Sequence, residues 1–431
     1  MDKKKQNPTQ HSMNRRSAAH DYTRSGIYHV TLHVADGLGQ VLGTVVGSLS
    51  APDGSADAPH TALSPIGQMV EQELTTSIHA HYPMVTVQDY VVMPEHLHFI
   101  VVVQGNLLSK NGKTMSLGQV IAGFKKGCNR RYWELTGQTN CDGPTNSGGP
   151  TNSGGPTNSG GPTNCGGQTA AHSVPSGFPA GYKVPSDGTT GRQPLFDAGY
   201  CDVMPVDAAQ LATQRAYIAG NPRSRLLRST HRDLLSVQHG GIDTALLPSA
   251  LRGYLVRECG TALTEDAWQA IDSQLLKTAD GLVDCDSYGD RALLNEHRLL
   301  PVVCHRKDAA RFNEQKTRCL EAAAQGAVLV SPRIAKGEQA IIDDTVNHGF
   351  PVILIHDNGF PDRYHPSPQR LDLCAAGRLL LVSPWRYQYR GKNEQVTVPF
   401  CKTMNCVAQA LCHTKDSWWE EPACPVVSPQ E

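Results

Sequence analysis

At 431 residues the chain is long enough for two or three domains, and a hydrophobic share of 39%, below that of typical globular chains, with plentiful Gly and Pro, suggests folded units separated by low-complexity sequence. A formal net charge of −1 excludes a chain-wide polycation, so any nucleic-acid contact has to come from local patches. The 13 cysteines are odd in number and form no Cys-x-x-Cys pair, which favours free thiols over a disulfide framework, and no apolar run reaches the length of a membrane span.

In chain order, Met1-Asp2-Lys3-Lys4-Lys5 is basic with no apolar core behind it, so residues 1–23 read as a disordered basic arm and not as a secretory signal. Residues 26–35 alternate well enough for a first strand, and 41–49 are expected to pair with it as a hairpin. Ser64-Pro65 opens a helix: a capping serine, then proline at the first helical position, with Ile66, Met69, Val70, Leu74 and Ile78 at helical spacing. Val85–Met93 is expected to be a strand, Pro94-Glu95 an interruption, and His96–Val103 another strand. Ser116 starts a second helix with Leu117, Val120, Ile121 and Phe124 on one face. The result is an α+β domain, helices on a mostly antiparallel sheet.

Residues 144–167 are four tandem hexapeptides, Pro-Thr-Asn-Ser-Gly-Gly three times and Pro-Thr-Asn-Cys-Gly-Gly once. Nothing in them can bury a core, so 138–192 reads as a low-complexity insertion within one domain. Residues 207–220 form a helix that ends at Asn221-Pro222, and the first domain closes near 235. A linker over 236–246 leads to a helical stretch at 247–277. Strand-like runs at 299–305, 327–331, 351–356 and 379–383 then alternate with helices at 308–325, 337–348 and 369–376. That rhythm predicts a parallel, Rossmann-like α/β domain, so the second domain spans 247–415 and 416–431 is a tail.

The chemistry concentrates in the strand Val91-Val92-Met93-Pro94-Glu95-His96-Leu97-His98. His96 and His98 are two apart, so they project from one face of a strand, where imidazoles are good ligands for a divalent ion. For an isolated pair, satisfied core histidines are the better reading. The second cluster, Tyr217-Ile218-Ala219-Gly220-Asn221-Pro222, puts Tyr217 and Asn221 on one helix face. Two imidazoles and an amide oxygen suit Mg²⁺ or Mn²⁺ with positions left for phosphate and water, and Tyr217 is then placed to attack phosphorus. Two basic patches lack acids: Lys125, Lys126, Arg130 and Arg131 within 116–133, and Arg223, Arg225, Arg228 and Arg232 within 223–232. Each by itself is explained equally well as a solvated helix face.

Taken in order, Pro94-Glu95-His96-Leu97-His98, Phe124-Lys125-Lys126, Arg130-Arg131-Tyr132-Trp133, Phe196 with Tyr200 and Asp202, and Ala216-Tyr217-Ile218 with Asn221-Pro222 resemble the single-tyrosine transposases of the insertion-sequence-200 type. The branch associated with repetitive extragenic palindromes is the most similar. The resemblance covers about residues 24–235 without the insertion. It implies metal-dependent cleavage and rejoining of single-stranded or hairpin DNA through a 5′-phosphotyrosine, without ATP. Tyr217 would be the nucleophile, His96, His98 and Asn221 the metal ligands, and Lys125, Lys126, Arg130, Arg131, Arg223, Arg225 and Arg228 the DNA grip. It also implies a cytoplasmic, nucleoid-associated bacterial protein with no membrane partner, and leaves open a homodimer. A replication or mobilisation nickase and a domesticated hairpin-binding protein that has lost strand transfer are the alternatives.

The last third resembles, more faintly, the Rossmann-like fold of the DNA-processing protein of natural transformation, through Val328–Glu338, Pro351–His356 with Gly359 and Tyr364, and Leu380–Trp385. Pro332 stands where that family has a glycine; a phosphate at the turn would be held by Arg333 and Lys336. No Gly-(x)4-Gly-Lys loop is present, which argues against ATP hydrolysis.

Overall fold

The computed structural model describes residues 20–109, 111–138, 192–304, 309–362, 364–388, 396–413 and 418–420. The chain forms two compact units, 1–226 and 227–431. In order, the first contains β1 (Gly26–His33), β2 (Gly43–Val46), β3 (His60–Leu63), α1 (Pro65–Gln72), α2 (Ile78–His81), β4 (Val85–Val92), β5 (His96–Val103), α3 (Leu117–Leu135), β6 (Cys201–Val203) and α4 (Ala208–Thr230), whose last residues pass Leu226.

The main sheet has the order β4-β5-β1-β6, and its pairings are antiparallel. Alternation along β1 divides its two faces. Tyr28, Val30 and Leu32 are fully buried with Leu97, Phe99 and Val101 of β5 in the core that includes Ile66, Val70, Leu117, Ile121 and Phe124 of α1 and α3. His29, Thr31 and His33 occupy the opposite face. The expected hairpin between β1 and 41–49 does not form. Both edges of β1 are taken by β5 and β6, so β2 pairs instead with β3 in a separate two-stranded sheet.

The helix starts follow the caps read from sequence. Ser64 Oγ accepts the Gly67 N–H at 3.1 Å. Ser116 N–H donates to Gln119 Oε1 at 2.8 Å, half of a capping box. A π-helical segment, Glu73–Ser77, joins α1 to α2. The helix expected to stop at Asn221-Pro222 runs on to Thr230. An internal proline removes one helical hydrogen bond. Here the Asn221 amide nitrogen donates to the Tyr217 carbonyl at 2.8 Å, and Pro222 and Leu227 are buried, so packing on both sides of the proline holds the helix.

Residues 20–23 belong to the fold and not to an arm: the Tyr22 and Thr23 carbonyls accept the Leu117 and Leu107 N–H groups at 3.0 and 2.8 Å. Residues 1–19 of the expected arm, and the expected insertion apart from Gln138 and Arg192, lie outside the described residues.

The second unit contains β7 (Val237–Gln238), α5 (Pro248–Cys259), α6 (Glu265–Gln274), β8 (Asp286–Gly289), β9 (Leu299–Pro301), α7 (Ala309–Ala324), β10 (Val328–Ser331), α8 (Lys336–Asn347), β11 (Val352–Ile355), α9 (Pro368–Ala375), β12 (Leu379–Ser383) and α10 (Val398–Cys412). Its sheet order is β7-β8-β12-β11-β10-β9. β9 to β12 are parallel, and β10, β11 and β12 are buried throughout, as strands covered on both faces must be. β8 and β7 add an antiparallel edge, so the sheet is mixed and not wholly parallel as expected.

The expected linker 236–246 contains β7, and its Gly240, Gly241 and Ile242 N–H groups donate to the Asp286 and Asp284 carboxylates. The helical stretch 247–277 breaks at Gly260, whose φ of +53° ends α5. Within the expected tail, Trp418 and Trp419 are buried, and the Trp418 indole N–H donates to the Pro301 carbonyl. No helix among the described residues is long and apolar enough to cross a membrane.

Gly67 packs α1 against the chain at Leu42: an added Cβ would run into the Leu42 carbonyl oxygen, which is backbone and cannot swing away. Gly67→Ala is expected to cost about 3 kcal/mol by overpacking. Chemical denaturation followed by circular dichroism checks this, and an unchanged midpoint would contradict the packing.

Candidate active site on the histidine face

β1 and β5 pair in the register Thr31↔His98 and His33↔His96. Pairing in register puts directly opposed side chains on the same face, so His29, Thr31, His33, His96 and His98 share the face turned away from α1 and α3. The rings of His96 and His98 are 4.8 Å apart, and those of His33 and His96 5.7 Å. α4 brings Tyr217 to this surface, its ring 5.3 Å from His98 and 6.0 Å from His29. Tyr217 stays 44% exposed, so its side chain is open to solvent.

His98 is buried, and its Nδ1 lies 3.0 Å from Thr31 Oγ1 and 3.2 Å from His29 Nε2. Those partners occupy Nδ1 and leave Nε2 as the nitrogen available to a ligand. Burial drives the His98 pKa well below the usual imidazole value, and the neighbouring His96, His29 and His33 push in the same direction. Burial lowers His29 too. A neutral imidazole is the form that binds a metal.

Glu95 sits beside the pair, with one oxygen 3.7 Å from His96 Nδ1 and in an ion pair with Arg225. Burial alone would raise its pKa, but the His96 hydrogen bond and the charges of Arg225 and His96 outweigh it and hold the carboxyl below its usual range.

Among the described residues no group of three or more His, Cys, Asp or Glu is arranged to hold a metal ion. His96 and His98 by themselves offer two imidazole donors, so a metal ion there would need further ligands of another kind, such as an amide oxygen, a phosphate or water. The Asn221 amide nitrogen is engaged by the Tyr217 carbonyl, so only its oxygen is left for that use.

Sequence reasoning missed His29, His33 and Thr31. The available signal was His29-Val30-Thr31-Leu32-His33, which places polar side chains at every second position of an otherwise apolar strand.

The basic residues separate into two groups. The Lys125 ammonium donates to the Asp197, Ala198 and Gly199 carbonyls, tying down the loop before β6. Arg131 pairs with Glu73 at 3.0 Å and reaches Gln72 at 2.8 Å. Arg225 is held by Glu95, and Arg228 is half-buried on α4. Lys125, Arg131 and Arg225 are thus bonded within the fold. Lys126 and Arg130 are exposed on α3 and line a cavity of about 720 Å³ with Tyr82, Trp133 and Arg192. Arg223 is half-buried on α4.

The turn between β10 and α8 does not offer the expected phosphate seat. Glu338 folds back into it, and its Oε2 accepts the Ile334 and Ala335 N–H groups at 2.8 and 3.0 Å. The helix N-terminus thus already holds an anion from its own chain. Arg333, at φ +54°, grips Asp343 through two guanidinium nitrogens, and Lys336 is exposed.

No protein-family model matches the chain, and no curated protein matches it. Among solved structures, DNA processing protein A from Helicobacter pylori, described for its single-stranded DNA binding mode, aligns with 18% identity and a TM-score of 0.23. The alignment covers 31% of this chain and 60% of that protein.

His98 supplies a pH test. In the folded chain its proton affinity is depressed, so below about pH 6.5 the unfolded chain binds a proton that the native state refuses. Stability is therefore full above that value and falls as pH drops below it. With a chelator present, the thermal midpoint is expected to decline between about pH 7 and about pH 5, and His98→Asn to flatten that decline. An equal slope in both proteins would contradict the burial of a neutral His98.

Proposed function

We propose that the first unit is a metal-dependent single-strand DNA transposase that cuts and rejoins DNA through a tyrosine. The observation that carries this reading is the place of Tyr217, on α4 and beside His98 on the face that also bears His96. One tyrosine hydroxyl next to two adjacent strand imidazoles suits phosphoryl transfer better than a binding surface, which needs neither. The likeness in motif order to single-tyrosine transposases supports the same chemistry.

In this reading the Tyr217 oxygen attacks the scissile phosphorus. The bond from phosphorus to the 3′ oxygen breaks, and a 5′-phosphotyrosine and a free 3′-OH result. The tyrosine proton leaves to water, and the departing 3′ oxygen takes one up. The ester keeps the energy of the broken bond, so a second 3′-OH reverses the step on another end and no ATP is consumed. A Mg²⁺ or Mn²⁺ ion bound by His96 and His98, with Asn221 Oδ1 as third protein ligand, would polarise the phosphate and offset its growing charge. His29 and Thr31 fix the orientation of His98. Lys126, Arg130 and Arg223 are the cations proposed to meet DNA phosphates.

Incubating the full chain with labelled single-stranded hairpin DNA from the flanks of its own gene and Mg²⁺ or Mn²⁺ is expected to give a denaturant-resistant protein–DNA adduct. Tyr217→Phe should bind the hairpin with unchanged affinity and form none. Adduct at the wild-type level in that variant would reject Tyr217 as nucleophile, and tight binding without adduct in the wild type would favour a hairpin-binding protein without strand transfer.

The two lysines of α3 separate the roles of the patch. Lys126→Ala should lower the slope of log affinity against log salt by about one, whereas Lys125→Ala should leave the slope alone and cost about 1–3 kcal/mol of stability. Fluorescence anisotropy at several salt concentrations, with denaturation curves, distinguishes them; the reverse pattern would contradict the assignment.

A further inference from the structure

Tyr217 lies on a helix that the chain attaches to its own sheet in three places. β6 pairs with β1 at Cys201↔Thr31 and Val203↔His29, and α4 begins at Ala208, so only residues 204–207 separate the sheet from the tyrosine helix. Before Tyr217 in sequence, Arg215 bonds to β4, 2.9 Å from Asp89 and 2.7 Å from Gln88. After Tyr217, Arg225 pairs with Glu95 in the turn between β4 and β5. These contacts bracket Tyr217, and all lie within the first compact unit.

From these contacts we infer that Arg215 and Arg225 are positioning residues that set Tyr217 against the histidines of its own chain, so that one chain is a complete strand-transfer unit. The inference rests on the tyrosine-transferase reading above and adds to it a choice the motifs left open, whether the tyrosine serves its own chain or a partner. It also gives Arg225 a role other than DNA phosphate contact. The Glu95 oxygen that Arg225 does not take is buried, with no hydrogen-bond partner among the described residues. Removing Arg225 therefore leaves an uncompensated carboxylate next to His96. A displaced α4 moves the attacking oxygen while Lys126 and Arg130 on α3 stay in place, and misplacements of about 1 Å cost on the order of a hundredfold in rate.

Two arms test this. In the first, full-length Tyr217→Phe is mixed in equal amounts with full-length His96→Ala/His98→Ala, and hairpin DNA with Mn²⁺ is added. The expected result is no adduct, because neither chain holds both halves of the site. Adduct in the mixture would overturn the inference and leave the strand-transfer reading standing, whereas a wild-type control without adduct would remove the strand-transfer reading itself.

The second arm needs no activity. Tyr217→benzoylphenylalanine is prepared as isotopically heavy and light chains, mixed, irradiated and digested. Cross-links from position 217 to β1 or β5 are expected within chains of one isotope only, and mixed-isotope cross-links would show that the helix serves a partner. In the same assays Arg215→Ala/Arg225→Ala should lower the adduct rate at saturating DNA roughly ten- to a hundredfold while hairpin affinity stays within about twofold. The swap Glu95→Arg/Arg225→Glu should recover part of that rate. A loss confined to affinity would make the arginines DNA contacts instead.

Discussion

The pairing of β1 with β5 is the constraint on which the rest of the first unit depends. Strand side chains alternate with a period of two, so the register that places Thr31 opposite His98 and His33 opposite His96 also buries Tyr28, Val30 and Leu32 with Leu97, Phe99 and Val101. A slip of either strand by one residue would expose its half of that apolar set and force its two histidines into the core. Hydrophobic burial therefore fixes the register, and the register assembles the histidine face as a by-product. β6 on the other edge of β1 then determines where α4 starts, and α4 carries Tyr217.

Charge is used mostly inside the fold. A chain with net charge −1 can still expose basic patches, but Lys125, Arg131 and Arg225, which looked available on α3 and α4, are engaged by carbonyls or carboxylates. The same holds for the turn before α8, where Glu338 fills the helix N-terminus and Asp343 binds Arg333. In each case a group of the same chain sits where an external phosphate would otherwise bind. The internal partner is covalently tethered, so its effective concentration is high, and it wins.

The second unit obeys a different rule from the first. Its central strands β10, β11 and β12 are buried along their whole length and carry continuous apolar runs, whereas β1 alternates between the core and the histidine face. This contrast explains which elements could be read in advance. Apolar strands followed by amphipathic helices announced β10 to β12. β8, Asp286-Ser287-Tyr288-Gly289, has no apolar run at all and enters the sheet through its neighbour β12 and the hydrogen bonds that Asp286, and Asp284 just before it, accept from the N–H groups of residues 240–242.

The sequence alone determined the local features: the caps at Ser64 and Ser116, the helical spacing of Ile66 to Ile78, the shared face of His96 and His98, and the one-turn spacing of Tyr217 and Asn221. Each depends on residues a few positions apart, where the geometry of helix or strand leaves little choice. Only the tertiary structure decided that His29, Thr31 and His33 join the histidine face and that β2 turns to β3. The continuation of α4 through Pro222 and the engagement of Lys125, Arg131, Arg225 and Arg333 by the fold were likewise decided there. Those outcomes pair residues far apart in the chain. A free strand edge, a buried carboxylate or an unsatisfied carbonyl selects its partner only once burial has brought the candidates together.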